Sequence, residues 1–561
     1  MTSRREFLQA LAATAALMPA YSLRALAQQR LTQEQLLRLG PPSGNVTLVH
    51  LADLHAQLKP LYFREPSVNL GVGEARGQLP HVTGQALLDA FKIPAGSALA
   101  YALTPDDFAA LARDYGRLGG LDRIATVIKH IRAERPDRTL LLDGGDTWQN
   151  SYTSLISKGQ DMVDCMALLK PDAMTGHWEF TLGADRVKQI TEKLGFAFLA
   201  QNVRDTEWNE PAFPPMATFE RGGIKIAVIG QAFPYTPIAN PRWMMPNWSF
   251  GIREEDLQAH VSKARAQGAG LVVLLSHNGF DVDRKLAARV RGIDVILTAH
   301  THDVLPVAVT VDKTLLIASG SHGKFVNVLD LDVGAGGVRG FSHRIIPIFA
   351  EVIAPEAEMA RMIATVRAPH EATLSEVVGR TDTLLYRRGN FHGTLDDVIC
   401  DALIAERDAE IALSPGFRWG GSLLPGQDIT REDIYNATAI TYPATYHITM
   451  NGARLKDILE DVADNLFNPD PYYQQGGDMV RAGGLSYTID VSAAAGRRIS
   501  ELTLLRTGQP LAADKDYVVA GWASVNEGTE GPPIYDVVTR HVRNRRVVAP
   551  RDGTHVRVVG T

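Results

Sequence analysis

Cysteine is nearly absent. The 561 residues contain 2, Cys165 and Cys400, far apart and set in the helix-like stretches DMVDCMALL and LDDVICDAL. They read as buried thiols, which excludes a fold stapled by disulfides. Long hydrophobic runs are also scarce. Beyond the N-terminus no stretch reaches about 18 uncharged apolar residues, so no stable membrane anchor is expected. A large charge excess is missing too. The formal net charge is −6 with 21% charged residues, which argues against non-specific binding to nucleic acid or an acidic membrane. A local basic pocket remains compatible with that balance. No internal repeat or low-complexity tract is visible, and 45% hydrophobic content excludes a mostly disordered or collagen-like chain. A chain this long buries a sizeable core without covalent staples.

What is present begins with an export label. Ser3-Arg4-Arg5-Glu6-Phe7-Leu8 precedes the apolar run LAATAALMPA and then Ala25-Leu26-Ala27. A charged start, a short apolar middle and small residues at the end make a secretory signal, and the paired arginines resemble the twin-arginine type. Residues 1–27 are therefore expected to be a leader. The mature chain would begin near Gln28 and work in the bacterial periplasm, exported already folded.

From Asn45 to about Val333, short apolar runs alternate with helical stretches. The runs are NVTLVHLAD, RTLLLDGGD, IKIAVIGQ, LVVLLSHN, VILTAH and LLIASG. Their Val, Ile and Leu content and polar ends read as buried strands. Helices are expected over 118–134, 184–194, 253–267 and 282–291. The reading is an α/β catalytic domain over 41–350, interrupted at about 60–117 by an insertion rich in Gly and Pro. Residues 354–372 read as one exposed connecting helix, within a linker spanning 351–373. A second α/β domain follows over 374–561, with helices at 394–408 and 453–466 and strand-like LSYTIDV, ISELTLL and DYVVAGW.

Chemistry-bearing residues recur at the ends of the predicted strands. In order they are Asp53 and His55 in LADLHA, Asp143 and Asp146 in DGGDTW, His177 in GHWEF, His277 in SHNG, and His300 and His302 in AHTH. Open α/β sheets place their sites in the crevice at strand ends. In DLH and HTH the two polar residues stand two apart on extended chain, so both point to one side and can converge on one ion. Imidazole and carboxylate together suit manganese, zinc or iron, and Asp146 could bridge two cations. A lone strand-end histidine is ordinarily structural; five such elements in series point to a metal centre.

The series DLH, GGD, GHWEF, SHNG and HTH resembles the calcineurin-like metallophosphoesterases, and within them the 5′-nucleotidase branch. The resemblance covers residues 45–555. It implies an N-terminal αββα sandwich of metallophosphoesterase type and a C-terminal 5′-nucleotidase-type substrate domain. It also implies one metal held by Asp53, His55, Asp146 and His302, and a second by Asp146, His177, His277 and His300. Asp143 would orient a ligand from behind. In SPGFRWGGSLLPGQDIT, Arg418 falls at the branch's substrate position, where its planar fork suits an oxyanion. Arg481 is a weaker candidate of the same kind. Asp396 reads as a carboxylate near a helix start, and Trp419, Tyr472, Tyr473 and Trp522 as packing residues that could line a channel. His50, His322 and His392 read as structural.

One departure carries the functional reading. The branch usually shows Gly-Asn-His-Glu, where the Asn ligates and the His is catalytic. Here stand Gly176-His177-Trp178-Glu179. An indole N–H is no acid in water, so Trp178 cannot protonate an alkoxide leaving group. GHWEF, the insertion after DLHAQL, AFPYTPIANP at 232–241 and the leader are together similar to the Sox thiosulfohydrolases of bacterial thiosulfate oxidation. That resemblance implies two manganese ions and a SoxYZ carrier partner. It implies attack by a metal-bound hydroxide on the terminal sulfonate of a cysteine S-thiosulfonate, releasing sulfate. A departing sulfur anion is far less basic than an alkoxide, since a free thiol has a pKa of about 8.5, and it needs no general acid. A monomer is expected. The alternatives are a periplasmic 5′-nucleotidase or cyclic nucleotide phosphodiesterase, and a catalytically dead metal-binding partner.

Overall fold

A computed structural model describes residues 31–41, 43–550 and 555–561; the expected leader lies outside the described residues. Twelve strands build the two main sheets of the first domain: β1 (Val46–Leu51), β2 (Thr139–Asp143), β3 (Ala173–Met174), β4 (Ala197–Phe198), β5 (Met216–Arg221), β6 (Ile224–Gln231), β7 (Leu271–Ser276), β8 (Val295–Thr298), β9 (Val309–Val311), β10 (Thr314–Ala318), β11 (Phe325–Gly334) and β12 (Gly337–Pro347). They form two six-stranded sheets, in the orders β12-β11-β1-β2-β3-β4 and β9-β10-β8-β7-β6-β5. In each sheet four neighbouring strands run parallel, β1 to β4 in one and β10, β8, β7, β6 in the other.

Alternation along each strand sorts its side chains to two faces. Val46 and Leu48 of β1 and Leu140 and Leu142 of β2 pack against Ile226, Val228, Val273, Leu275, Val295 and Leu297 from the other sheet. Their sequence neighbours Val49, Leu51, Leu141, Ile229, Leu274 and Ile296 face the other way, into the cluster that also contains Ile124, Ile128, Leu257 and Leu286 from helices. Both faces of both sheets are therefore covered, which is why these strands read as unbroken apolar runs. The covering helices include Leu121–Glu134, Glu254–Ala266 and Phe280–Arg289. The result is an αββα sandwich.

Three expectations need correction. The β11–β12 hairpin closes one edge of the first sheet and was not anticipated, because β12 alternates between half-buried and exposed positions and carries no apolar run. The insertion carries three short helices: Gly84–Phe91, Ala98–Leu103 and Phe108–Tyr115 bury Leu87, Leu88, Phe91, Tyr101 and Phe108. The connecting helix runs Ala357–Arg367 and gives way to a 3₁₀ turn, Ala368–His370, around Pro369, which has no N–H to donate. Nor is that helix simply exposed, since Met359, Ile363 and Arg367 are buried.

The second domain centres on a four-stranded sheet in the order Thr445–Asn451, Asp516–Trp522, Ile411–Gly416, Asp478–Gly483. Helices Thr394–Arg407 and Gly452–Phe467 pack on it. The insertion ties the two domains together. Tyr62 pairs with Ser422 as an isolated β-bridge, Leu70 N–H donates to the Asn390 side chain at 2.6 Å, and Asn390 N–H donates to the Val68 carbonyl at 3.2 Å. Among the described residues no helix is long and apolar enough to cross a membrane.

Candidate metal centre

The seven residues expected to ligate follow the carboxyl ends of five parallel strands: Asp53 and His55 after β1, Asp146 after β2, His177 after β3, His277 after β7, and His300 and His302 after β8. The chain bends sharply as it leaves these strands. Asp53, His55, Asp146, His300 and His302 have φ of 53°, 49°, 57°, 76° and 59°, a left-handed region that L side chains other than Asn and Asp visit rarely. Backbone bonds stitch the first two turns together, with Asp53 N–H donating to the Gly145 carbonyl and His55 N–H to the Asp146 carbonyl, each at 2.8 Å. Strain concentrated where side chains must converge is a functional signature.

Two groups result, Asp53–His55–Asp146–His302 and Asp146–His177–His277–His300, with the offered donor atoms of each within 4.8 Å of one another. Asp146 belongs to both. Its Oδ2 lies 3.1 Å from His277 Nε2, 3.2 Å from His177 Nδ1 and 3.8 Å from His55 Nε2. The Nε2 atoms of His55 and His302 approach to 2.9 Å. Burial disfavours a proton on His277, yet the carboxylates of Asp146 and Asp53 outweigh it and raise its pKa to about 10. Burial drives His55 the other way, down to about 4, and holds His300 and His302 well below the usual histidine range. Neutral imidazoles on His55, His300 and His302 beside the Asp53 and Asp146 carboxylates, with the His177 Nε2 left unpartnered, suit a pair of divalent cations.

An outer set of hydrogen bonds aims these side chains. His277 Nδ1–H donates to the Gly144 carbonyl at 2.6 Å, leaving Nε2 for the cluster, and His300 Nε2–H donates to the Gln475 carbonyl at 2.8 Å, leaving Nδ1. Asp143 joins neither group. Its carboxylate accepts from Gly145 N–H at 3.0 Å and from the Thr147 hydroxyl, and burial raises its pKa to about 7. It shapes the turn that presents Asp146. Glu179, not singled out from the sequence, accepts from the N–H groups of His177 at 2.9 Å, Asp146 at 3.3 Å and Thr147 at 2.7 Å, so one carboxylate braces two ligand loops. Its place in GHWEF was the available signal.

Trp178 sits at the seam between the domains. Its backbone N–H donates to Asp146 Oδ1 at 2.8 Å, and its ring meets Trp419 at 4.9 Å, Phe417 at 5.4 Å and Tyr442 at 5.9 Å between centroids. Trp419 in turn lies 5.3 Å from the His55 ring. Phe233 of AFPYTPIANP packs on His300 and His177, at 4.1 and 4.2 Å. Arg418 is held on three sides: Nε by Asp478 Oδ1 at 3.3 Å, Nη1 by the Thr301 carbonyl at 2.9 Å and Nη2 by the Gly477 carbonyl at 2.5 Å. It reaches the His300–His302 turn itself, not an open pocket wall alone. Arg481 and Asp396 pair with each other at 3.0 Å inside the second domain, and Asp396 also holds Arg387 at 2.8 Å. Trp522 donates to Ser414 at 2.9 Å, Tyr472 donates to Glu254, and Tyr473 is exposed. His50, His322 and His392 bond Ser319, Ser321 and Asp397.

The sandwich, the paired ligand groups and the second domain define an enzyme of the 5′-nucleotidase branch of the calcineurin-like metallophosphoesterases, with a candidate two-metal site. Residues 377–540 match the family model described as 5′-nucleotidase, C-terminal domain. The 5′-nucleotidase of Rattus norvegicus is 25% identical over 478 residues, 76% of this chain and 80% of its own. A 5′-nucleotidase precursor of Thermus thermophilus shares the fold, with TM-score 0.72 and 21% identity over 92% of this chain and 100% of that one. The structure of sulfate thiohydrolase SoxB from Thermus thermophilus matches with TM-score 0.90 and 37% identity, covering 93% of this chain and 98% of that one. Within the branch, the chain belongs to the SoxB family.

Proposed function

We propose that this chain is a periplasmic thiosulfohydrolase that removes the terminal sulfonate from a cysteine S-thiosulfonate on a SoxYZ-type carrier, releasing sulfate after export by the twin-arginine route. The observation that carries the reading is Trp178. It follows directly on a side chain of the metal centre, packs into the aromatic seam of the second domain, and offers no acid to an oxygen leaving group. Scission of a sulfur–sulfur bond tolerates that, because the persulfide anion left on the carrier cysteine is far less basic than an alkoxide and departs unprotonated.

Asp53, His55, Asp146 and His302 would hold one cation, and Asp146, His177, His277 and His300 the other, manganese being the metal we propose. Two cations there supply a nucleophilic water of lowered pKa and a clamp on the anionic oxygens. Around them the chain's own groups position and exclude. Arg418, with N–H groups left over from its three bonds, stands beside His300 to meet the sulfonate. The aromatic seam keeps water from the far side.

The approach to the site supports a substrate carried on a protein arm. A groove of about 630 Å³ runs between insertion residues 70–77 and Ala493–Ala495 of the second domain. It shares Leu70, Val72, His81 and Phe467 with a neck of about 50 Å³ that ends at His300, Thr301 and Arg418. So narrow a neck suits an extended chain tipped by a small group.

Trp178→His tests the central residue. It is expected to confer AMP hydrolysis, a positioned general acid being worth about 10²–10⁴-fold, while sulfate release stays within about threefold of the unsubstituted enzyme. A folded variant with unchanged sulfate release and no gained phosphatase would remove Trp178 as the determinant of bond choice.

A further inference from the structure

The His300-Thr301-His302 turn belongs to the first domain but is fastened from the second. Gln475 supplies the carbonyl that takes the His300 Nε2 proton. The Thr301 carbonyl, between the two histidines, accepts from Arg418 at 2.9 Å and from Arg388 Nη2 at 3.2 Å. Both arginines are themselves anchored on buried carboxylates, Arg418 on Asp478 at 3.3 Å, and Arg388 on Glu65 at 2.5 Å and Asp303 at 3.2 Å. Gly476 presses on the same ring, where a Cβ would stand 2.6 Å from His300 Nε2. His300 and His302 both hold left-handed backbone, a conformation that persists only when its surroundings over-determine it.

We propose that the second domain forms the outer half of the metal centre. Arg388 and Gln475 are positioning residues that fix the orientation of His300 and His302, so cation loading and domain docking are one coupled equilibrium. Such coupling is reciprocal: whatever steadies the docked domain tightens cation binding, and the cation steadies docking by the same factor. The inference rests on reading the seven side chains as the cation site and is independent of which bond that site breaks.

Two glycines make the test. Gly476 and Gly496 have φ of 78° and 80°, so alanine costs each similar backbone strain. At Gly496, however, a Cβ would meet nothing within 4 Å. Manganese is titrated calorimetrically into the metal-free full chain and into G476A and G496A, with melting temperature read in parallel. The expected result is two sites in the unsubstituted protein and in G496A, and about 10–100-fold weaker binding at one site in G476A, the range seen when an outer partner of a ligand is lost. The manganese-induced rise in melting temperature should shrink with it. Arg388→Lys, which keeps the charge but loses the fork, is the second variant should G476A not fold, and about tenfold weakening is expected there. A folded G476A that binds both ions as tightly as the unsubstituted chain overturns the proposal, as does an equal loss in G496A. Failure here would leave sulfate release by the unsubstituted protein unaffected, so it is distinct from failure of the proposed reaction.

Discussion

Asp146→Asn is expected to lower turnover at least about a thousandfold, some 4 kcal/mol of transition-state stabilisation at 1.36 kcal/mol per factor of ten. Asp146 is the one residue common to both ligand groups. An amide keeps the shape and loses both the charge and one acceptor. Its NH₂ must face either the Trp178 N–H, which now donates to Oδ1 at 2.8 Å, or the ring nitrogens of His177 and His277 near Oδ2. His277 then loses the carboxylate that does most to hold its pKa up. Elemental analysis should show fewer than two metals per chain, and kinetics the loss of turnover. Two metals and near-normal turnover in the variant would refute the shared role of Asp146.

The second large effect concerns stability. Lys324 is fully buried and bonds Glu65 at 2.6 Å and the carbonyls of Phe63 and Ala102, each at 3.1 Å. Glu65 also takes Arg388, so one carboxylate of the insertion serves two buried cations, one from each domain. Burial pulls the Lys324 pKa down and the Glu65 carboxylate opposes that pull. Glu65→Gln strips the charge and leaves both cations short of a partner, a change that costs about 3–5 kcal/mol for buried pairs. Denaturant unfolding should register that loss. The double variant Glu65→Leu with Lys324→Met removes charge of both signs and should recover part of it. A Glu65→Gln protein as stable as the unsubstituted one would mean that this junction is not electrostatically fastened.

The sandwich was legible because its strands are covered on both faces and therefore appear as unbroken apolar runs. Six of the seven candidate ligands were legible because they stand at the ends of such runs; His177 follows the two-residue β3 and was legible only through GHWEF. What escaped was what long-range packing decides. β12 has one open face and no run to mark it. The insertion read as a Gly- and Pro-rich interruption with no helices marked, because its helices are short and defined by the residues they bury. Arg388, Glu65 and Gln475 act across the domain seam, and nothing local in RRGN, REPS or YYQQGG states which carbonyl or carboxylate each will meet. Gln475 meets His300 through its backbone carbonyl, so its residue type carries no signal of that contact.

The most direct measurement is a competition assay on the manganese-loaded full chain. A carrier bearing a cysteine S-thiosulfonate and AMP are supplied together, and sulfate and phosphate are counted from the same reaction. The account predicts sulfate without phosphate. Phosphate without sulfate would contradict it, returning the chain to nucleotide hydrolysis and making Trp178 irrelevant to the choice of bond.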